Sequence, residues 1–294
     1  MGKRVLVTGA SGFLGSHVAD ELSERGYKVT LMDVRESRWR RDDQRMVVGD
    51  INNTDDLDEA MKDQDIVYHL AALADLNAAK VRPVETAVTN VMGTVQLLNS
   101  AVRNNIERLV FASTVYVYSR EGGFYRCSKQ ACENYIEEFR CMYGLNYTIL
   151  RYGSLYGPRA DESNGIYRLL KEALTKGTVS HRGTSNDRRE YIHVKDAAKL
   201  SVDILADDFV NSHFVLTGNE TLRIEDLFYM FSEILGRELE QTFIEGNEQD
   251  GHYRVTPYTF TPKVGKKLTV QPYVDMGQGI LQVIEEIYHS SDKH

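Results

Sequence analysis

Two side chains four residues apart, Tyr125 and Lys129, form the pattern in this chain that is best suited to proton transfer. The same spacing occurs twice more, at Tyr167/Lys171 and Tyr191/Lys195. Only Tyr125 follows a strand-like segment ending in hydroxyl residues and begins a segment of helical spacing, where residues i and i+4 share a face. We therefore interpret Tyr125 and Lys129 as a functional pair, with an ordinary exposed helix face as the alternative.

The chemistry of such a pair follows from electrostatics. An ammonium about 4 Å from a phenol, at an effective dielectric constant of about 20, supplies about 4 kcal/mol. That free energy lowers a tyrosine pKa by about 3, to near neutrality. We predict that Tyr125 acts as a general acid and base. Thr114, which ends the preceding strand-like segment, would hydrogen-bond the reacting oxygen.

A glycine-rich turn near the N-terminus predicts a phosphate cradle. In "TGASGFLG" the glycines stand three residues apart, at Gly9, Gly12 and Gly15. A strand–turn–helix of this kind holds a pyrophosphate on the amides that begin the helix. Asp33, at the end of the second strand-like segment, would bind the adenosine ribose and repel a 2'-phosphate, which favours NAD over NADP. Arg35 and Arg38 could reach such a phosphate, so NADP is the less favoured alternative.

These side chains require a framework, and the apolar pattern predicts one. Strand-like segments lie at 4–8, 27–33, 45–50, 65–72, 108–114 and 146–152, mostly separated by segments of helical spacing. Strands that are apolar on both faces are typical of a parallel sheet covered by helices on both sides. We predict a doubly wound α/β fold, and the irregular pattern after residue 153 predicts a second, smaller unit.

Composition excludes other classes of protein. The formal net charge of −8 argues against a nucleic-acid-binding surface, which needs an excess of Lys and Arg. We expect no membrane span, no signal peptide and a cytoplasmic location. Three cysteines without Cys-x-x-Cys spacing indicate reduced thiols, and the scattered histidines predict no metal site.

The motifs together resemble a known family. "VLVTGASGFLG", "GDI", "HLAA", "NVMGT", "LRYGSLYGP" and "RREYIHVKD" occur in family order from residue 5 to about residue 200. The chain thereby resembles the extended short-chain dehydrogenases, the NAD-dependent nucleotide-sugar epimerases and dehydratases. The resemblance implies a dinucleotide-binding (Rossmann) domain at 1–153 plus roughly 190–217. It also implies a smaller domain at 154–189 and 218–294 that binds a nucleoside diphosphate sugar.

The resemblance also implies roles for individual residues. The pyrophosphate of NAD would lie on Gly9, Gly12, Phe13, Leu14 and Gly15. The rest of the cofactor would contact Asp33, Asp50, Ile51, Ala71, Ala72, Asn90, Lys129 and the backbone of Tyr152. Substrate contacts would come from Thr114, Tyr116, Ser154, Arg189 and, by a looser match, Arg254. Arg189 would clamp the diphosphate, a task that suits its planar guanidinium.

Three departures from the family pattern bear on the reaction. Val115 and Tyr116 stand where the dehydratases and decarboxylases usually carry acidic residues, which disfavours those reactions. Tyr116 is either an additional proton donor or a packed aromatic. Only "SREGGF" separates Tyr118 from Tyr125, where relatives have about 20 residues, so we expect a more open sugar pocket. The third departure is Ser154, which stands where the family pattern has an asparagine.

The predicted activity is nucleotide-sugar 4-epimerisation. Tyr125 would take a proton from a sugar hydroxyl while hydride passes to NAD, and the transient 4-ketosugar would be reduced on its other face. The alternatives are a nucleotide-sugar dehydrogenase or ketosugar reductase, then a dehydratase or decarboxylase, and last a non-catalytic NAD sensor. Segments 85–103 and 126–143 resemble those through which relatives form a four-helix bundle, so we expect a homodimer.

Overall fold

A computed structural model describes residues 2–244 and 255–257 of the chain, which belong to one compact unit extending to residue 261. The strands are β1 Arg4–Thr8, β2 Lys28–Asp33, β3 Arg45–Val48, β4 Ile66–His69, β5 Arg108–Thr114, β6 Asn146–Tyr152, β7 Ser154–Tyr156, β8 Thr178–Arg182, β9 Arg188–His193, β10 Ser212–Leu216, β11 Thr221–Arg223 and β12 Glu240–Ile244. The α-helices are α1 Phe13–Glu24, α2 Thr54–Met61, α3 Leu76–Val81, α4 Pro83–Thr86, α5 Gly93–Arg103, α6 Gly123–Tyr143, α7 Gly165–Lys176, α8 Val194–Asp203 and α9 Ile224–Leu235. A π-helical segment, Ala87–Met92, joins α4 to α5, and a 3-10 turn, Val115–Tyr118, follows β5.

The central sheet has seven strands in the order β3-β2-β1-β4-β5-β6-β10, and every neighbouring pair is parallel. Its inner strands are buried on both faces; Val5, Leu6 and Val7 of β1, for example, are fully inaccessible. The edge strands β3 and β10 are only partly buried. The predicted doubly wound α/β fold is confirmed. The apolar pattern predicted its first six strands, and β10 is an addition that the pattern did not predict.

Two hydrophobic clusters cover the two faces of this sheet. One contains side chains from α2, α5 and α6, such as Leu57, Leu97 and Ile136. The other contains side chains from α1 and α8, such as Val18 and Ala197. Helices on both faces bury the inner strands, which explains why those strands are predominantly apolar.

A third cluster lies apart from the central sheet. It joins α7, β8 and α9 through side chains such as Ala173, Val179 and Phe228. Beside it lie a three-stranded sheet, β11-β9-β7, and a two-stranded sheet, β12-β8. The predicted division into a dinucleotide-binding and a sugar-binding domain stays a prediction, since much of the second part lies outside the described residues.

Parallel strands place the residues that follow them at one edge of the sheet. The register pairs Thr8 with Met32 and with His69, and Thr114 with Tyr152, so the loops after β1, β4, β5 and β6 meet at the carboxyl edge. Open α/β sheets bind ligands at this edge. Within residues 2–244 and 255–257, every helix is too short or too polar to cross a membrane.

Candidate active site

The turn after β1 has the geometry that its three glycines predict. Gly9 has a φ of +70°, and a Cβ there would lie 2.6 Å from the amide nitrogen of Ala71. A Cβ on Gly15 would overlap the carbonyl oxygen of Gly9, so helix α1 can approach the turn only with glycine at this position. Gly12 precedes α1, and no side chain caps the amides that begin the helix. Those amides, at Phe13 and Leu14, form the predicted pyrophosphate cradle.

Asp33 lies beside this cradle. Its Oδ2 accepts a hydrogen bond from the amide of Ser11 at 3.0 Å, and the Ser11 hydroxyl donates to the carbonyl oxygen of Arg35 at 2.9 Å. The guanidinium of Arg38 lies 4.7 Å from the ring centroid of Trp39. A carboxylate therefore occupies the end of β2, while Arg38 contacts an aromatic ring. This arrangement suits NAD better than NADP.

Three further groups of predicted cofactor residues lie near the cradle or in the core beside it. The Asp50 carboxylate accepts hydrogen bonds from the amide and side chain of Asn52. Ile51 is buried in the core, so close to Gly93 that a Cβ there would lie 2.7 Å from its Cδ1. The loop with Ala71 and Ala72 follows β4 and faces Gly9. Contact of these residues with the cofactor stays a prediction.

The side-chain amide of Asn90 makes three hydrogen bonds within the protein. Its Oδ1 accepts from the Leu73 amide at 2.7 Å, and its Nδ2 donates to the Leu73 carbonyl at 3.1 Å and to the Ser128 hydroxyl at 2.9 Å. It lies in the π-helical segment, and such segments often occur at functional sites. Asn90 thus ties the loop after β4 to the helix that carries Tyr125 and Lys129.

A buried histidine that sequence reasoning missed extends this network. One ring nitrogen of His69 lies 2.9 Å from the hydroxyl of Thr8, and the other lies 2.9 Å from that of Thr94. Burial lowers the pKa of His69 to about 3, so the ring is neutral at physiological pH. The "HLAA" motif marked this position, but nothing in the motif gave its partner on α5. The histidine holds the loops around the cradle in place.

The three predicted catalytic side chains lie at the same edge of the sheet. Lys129 is buried, and its Nζ donates to the carbonyl oxygen of Ala112 at 2.8 Å and lies 5.8 Å from the ring centroid of Tyr125. Ala112 precedes Thr114 by two residues on β5. The Thr114 hydroxyl oxygen accepts a hydrogen bond from the Tyr116 amide at 3.3 Å. Strand β5 therefore positions the threonine directly and the lysine through its backbone.

The predicted lowering of the Tyr125 pKa is wrong. Desolvation raises the pKa of Tyr125 well above its ordinary value of 10, and it lowers the pKa of Lys129 to about 8. The cause is the loss of hydration of both charged forms, which the spacing of the two residues does not reveal. Tyr125 is therefore a neutral phenol at pH 7.

A second buried network lies behind these residues. Glu133 forms an ion pair with Arg151, with Oε2 and Nη2 2.6 Å apart, and its Oε1 accepts from the Ser113 hydroxyl at 2.5 Å. Arg151 Nη1 donates to the Tyr118 hydroxyl at 2.6 Å. The network joins α6, β5, β6 and the 3-10 turn, and it holds the short connection that leads to Tyr125. Sequence patterns gave no sign of it.

The structure describes the positions of all the predicted substrate residues except Arg254. Ser154 on β7 pairs with Tyr191 on β9, and Arg189 stands two residues before Tyr191 on the same strand. A Cβ on Gly122 would lie 2.8 Å from the Tyr116 ring, so that ring packs on the connection before α6. Tyr152 pairs with Thr114, and its hydroxyl lies 2.6 Å from that of Ser201, which leaves its backbone at the sheet edge. Arg254 lies outside the described residues.

Together these features define a class of site: a dinucleotide cradle at the carboxyl edge of a parallel sheet, beside a threonine, a tyrosine and a lysine suited to proton transfer. The model of the NAD dependent epimerase/dehydratase family matches residues 5–216. The chain therefore belongs to this family, as its motifs suggested. The NAD dependence of the family confirms the predicted cofactor.

The similarity to known proteins extends over almost the whole chain. The protein named "Putative UDP-glucose 4-epimerase" of Methanocaldococcus jannaschii is 29% identical over 95% of this chain and 97% of its own length. A UDP-N-acetyl-alpha-D-glucosaminuronate decarboxylase of Bacillus cytotoxicus is 27% identical over 97% and 98%, respectively. The structure of UDP-glucose 4-epimerase with UDP-glucose from Thermotoga maritima has a TM-score of 0.79 at 26% identity, covering 88% of this chain and 90% of that one.

Proposed function

We propose that this protein is an NAD-dependent nucleotide-sugar 4-epimerase that works through a transient 4-ketosugar. The observation that carries the proposal is the position of Thr114, Tyr125 and Lys129 at the sheet edge that also holds the glycine cradle. The similarity to proteins named as UDP-glucose 4-epimerases favours this reaction within the family.

Each of the three side chains has a distinct task in this reaction. Tyr125 Oη accepts the proton of the C4 hydroxyl when that carbon is oxidised, and it returns the proton when the carbon is reduced. Thr114 Oγ1 already accepts a hydrogen bond from the Tyr116 amide, so its own hydrogen is left to donate to the sugar oxygen. Lys129 donates one hydrogen to Ala112 and keeps two further donors and its charge beside the phenol.

The raised pKa of Tyr125 places a condition on this mechanism. The partly buried phenol becomes a base only where positive charge near its Oη stabilises the phenolate. Lys129 supplies part of that charge. NAD⁺, when bound, supplies the hydride acceptor and a positively charged nicotinamide ring. Tyr125 should therefore be a stronger acid with NAD⁺ bound than without it.

A second reaction of the family is favoured by one relative. The decarboxylase of Bacillus cytotoxicus matches nearly the whole chain. The positions after Thr114 are nevertheless Val115 and Tyr116, neither of which is an acid at neutral pH. We therefore rank decarboxylation, dehydration and net dehydrogenation below epimerisation. The products formed from a sugar nucleotide distinguish all four.

We further propose that the nucleoside diphosphate sugar binds where Arg189 lies, beside β7 and β9. Strands β7 and β9 place Ser154, Tyr191 and Arg189 in neighbouring positions. The separate hydrophobic cluster of α7, β8 and α9 gives this part a core of its own. A UDP-sugar fits the comparisons best.

A homodimer through segments 85–103 and 126–143 is also part of the proposal. Val88 and Met92 of the first segment are 45% and 51% exposed, and Val81 and Val84, just before that segment, are 76% and 75% exposed. On α6, Tyr135 and Met142 are 46% and 67% exposed. Exposed apolar stripes on neighbouring helices are typical of subunit interfaces. Light scattering that shows a monomer at micromolar concentration would refute the proposed homodimer.

We also propose a cytoplasmic location, which the free thiols of Cys127, Cys132 and Cys141 support.

The function is tested with purified protein, NAD and a set of UDP-, GDP-, CDP- and dTDP-sugars. We expect a C4 epimer, identified by NMR, without net accumulation of NADH. Tyr125→Phe should bind NAD as the unaltered protein does and lose turnover by about 10²- to 10⁴-fold, the usual contribution of a general acid–base group. Tyr167→Phe is the matched control, because Tyr167 has the same spacing to a lysine but is exposed. Stoichiometric NADH, or loss of CO₂ from a uronic acid substrate, would replace epimerisation by the corresponding alternative.

A further inference from the structure

Two loops that flank the cofactor edge are joined to each other across helix α1. The first, residues 34–44, follows β2 and carries Trp39; the second, residues 157–164, follows β7 and carries Arg159. The guanidinium of Arg159 lies 4.7 Å from the ring centroid of Trp39, a distance that gives a cation–π contact. We refer to the contact between Trp39 and Arg159 as the clasp.

The clasp is anchored on the helix that begins at the cradle. Arg159 Nη2 lies 2.7 Å from Asp20 Oδ2, in a pair whose side chains are each 20% exposed. One turn earlier, His17 Nε2 lies 3.0 Å from the carbonyl oxygen of Pro158. Burial lowers the pKa of His17, so its ring is neutral at neutral pH and its Nε2–H can donate to that carbonyl. The second loop is thereby fixed to α1 close to the amides of the cradle.

The first loop is fixed to the cradle itself. The Ser11 hydroxyl donates to the Arg35 carbonyl, and the Ser11 amide donates to Asp33. The contacts form a closed ring: cradle to first loop, Trp39 to Arg159, Arg159 to Asp20, and α1 back to the cradle. A dinucleotide that lies on the cradle beside Asp33 is bordered by this ring. The second loop also connects β7, which carries Ser154, to α7.

The arrangement is unfavourable for the fold in two respects. Arg159 has a φ of +68°, a left-handed conformation that non-glycine residues rarely adopt. Arg159 Nη1 and Asp20 Oδ1 are buried and make no hydrogen bonds among the described residues. Strained residues of this kind occur preferentially at ligand clamps. A loop placed only for stability would have little use for such a residue.

We propose that Arg159 retains the cofactor between the two hydride transfers, and that the clasp must open before the dinucleotide can leave. The proposal rests on the proposed function, because a reaction that oxidises C4 and then reduces the ketosugar needs to keep the reduced cofactor between the two hydride transfers, whereas net oxidation releases it. Arg159 is thus a positioning residue that helps decide between epimerisation and net oxidation. It takes no part in the transfer of protons or hydride.

The test measures release of NADH in the absence of any sugar. Trp39 is the only tryptophan in the chain, so energy transfer from its indole to bound NADH reports occupancy of the site. Excess NAD⁺ is added to the complex, and the decay of the transferred emission gives the release rate. We expect Arg159→Met and Asp20→Asn each to release NADH about tenfold faster, which corresponds to about 1.4 kcal/mol.

Arg38→Met is the matched control. Arg38 also lies 4.7 Å from the Trp39 ring, but it is exposed and precedes Trp39 in the same loop, so its loss leaves the two loops joined. We expect its release rate to stay within twofold of that of the unaltered protein. An equal increase in the NADH release rate of Arg38→Met and Arg159→Met would overturn the proposal. The cause would then be the loss of a positive charge beside Trp39, and not the loss of the contact between the two loops. Unchanged release from Arg159→Met would also overturn it.

Two further readouts separate a retention role from a structural one. If Arg159→Met does not fold, Asp20→Asn alone decides the proposal, because it removes the negative charge that holds Arg159 without altering the loop. With sugar present, Arg159→Met should lose NADH to an added NADH-consuming enzyme and stop after fewer turnovers. The release rate needs no sugar, so a protein that binds NADH but fails to epimerise would refute the proposed function and leave the clasp testable.

Discussion

Lys129 is a buried cation whose removal should affect stability and activity in opposite directions. It is 3% exposed, and burial lowers its pKa from 10.5 to about 8. At 1.36 kcal/mol for each pH unit, this pKa difference means that the charged form costs the fold about 3 kcal/mol at pH 7. Lys129→Met removes that cost, although it also removes the hydrogen bond to Ala112, which is worth about 1–3 kcal/mol.

The pH dependence of this effect has a definite sign. Below pH 8 both the folded and the unfolded chain carry the proton on Lys129, so the cost is present in full. Between about pH 8 and 10.5 the unfolded chain binds a proton that the folded protein has released, so the stability of the unaltered protein rises with pH. Relative to the unaltered protein, Lys129→Met should therefore lose about 2.5 kcal/mol of stability between pH 7 and pH 10.

The assay is urea unfolding of both proteins at pH 7, 8, 9 and 10, together with epimerase activity. Lys195→Met is the matched control, because Lys195 has the same spacing to a tyrosine but is exposed. Its stability difference should not change with pH. We expect Lys129→Met to be inactive and at least as stable as the unaltered protein at pH 7. A stability difference that stays constant from pH 7 to pH 10 would refute the reasoning, since Lys129 would then not be a desolvated cation.

Two further predictions concern the cradle and the network behind β5. Gly9→Ala should abolish NAD binding in a titration, because its Cβ would overlap backbone, whereas Gly26→Ala, at φ +82° with open space around it, should cost only the left-handed strain of about 1–2 kcal/mol. Glu133→Gln leaves the partly buried Arg151 without its anion and should lower the free energy of unfolding in urea by about 3 kcal/mol. Tyr118→Phe removes one hydrogen bond and should cost about 1 kcal/mol; equal losses in the last two variants would contradict this assignment.

The sequence predicted the parts of the site that depend on neighbouring residues. The glycine spacing fixed the turn after β1, because Gly9 needs a positive φ and Gly15 needs close approach, and both are local requirements. The burial of the inner strands β1, β2, β4, β5 and β6 could be predicted for the same reason, since each strand is a predominantly apolar segment. The pairing of Thr114 with Tyr125 and Lys129 required only that a strand be followed by a helix.

Contacts between distant segments could not be predicted in this way. His69 contacts Thr94, and Arg159 contacts Trp39, only in the folded chain. Neither pair has a sequence spacing that a local pattern could reveal. The error about the Tyr125 pKa has the same origin. The distance to Lys129 could be read from the helical repeat, but the burial that dominates the pKa depends on all the elements packed around the ring.

The central claim is that hydride leaves C4 of the sugar and returns to the same carbon within one binding event. The most direct measurement uses the UDP-sugar that the protein converts, with deuterium at C4, incubated with the protein and NAD in ordinary water. We predict a C4 epimer that retains the deuterium at C4, with no free deuterated NADH. Loss of the label to solvent would contradict hydride transfer, and label accumulating in free NADH would show net oxidation instead of epimerisation.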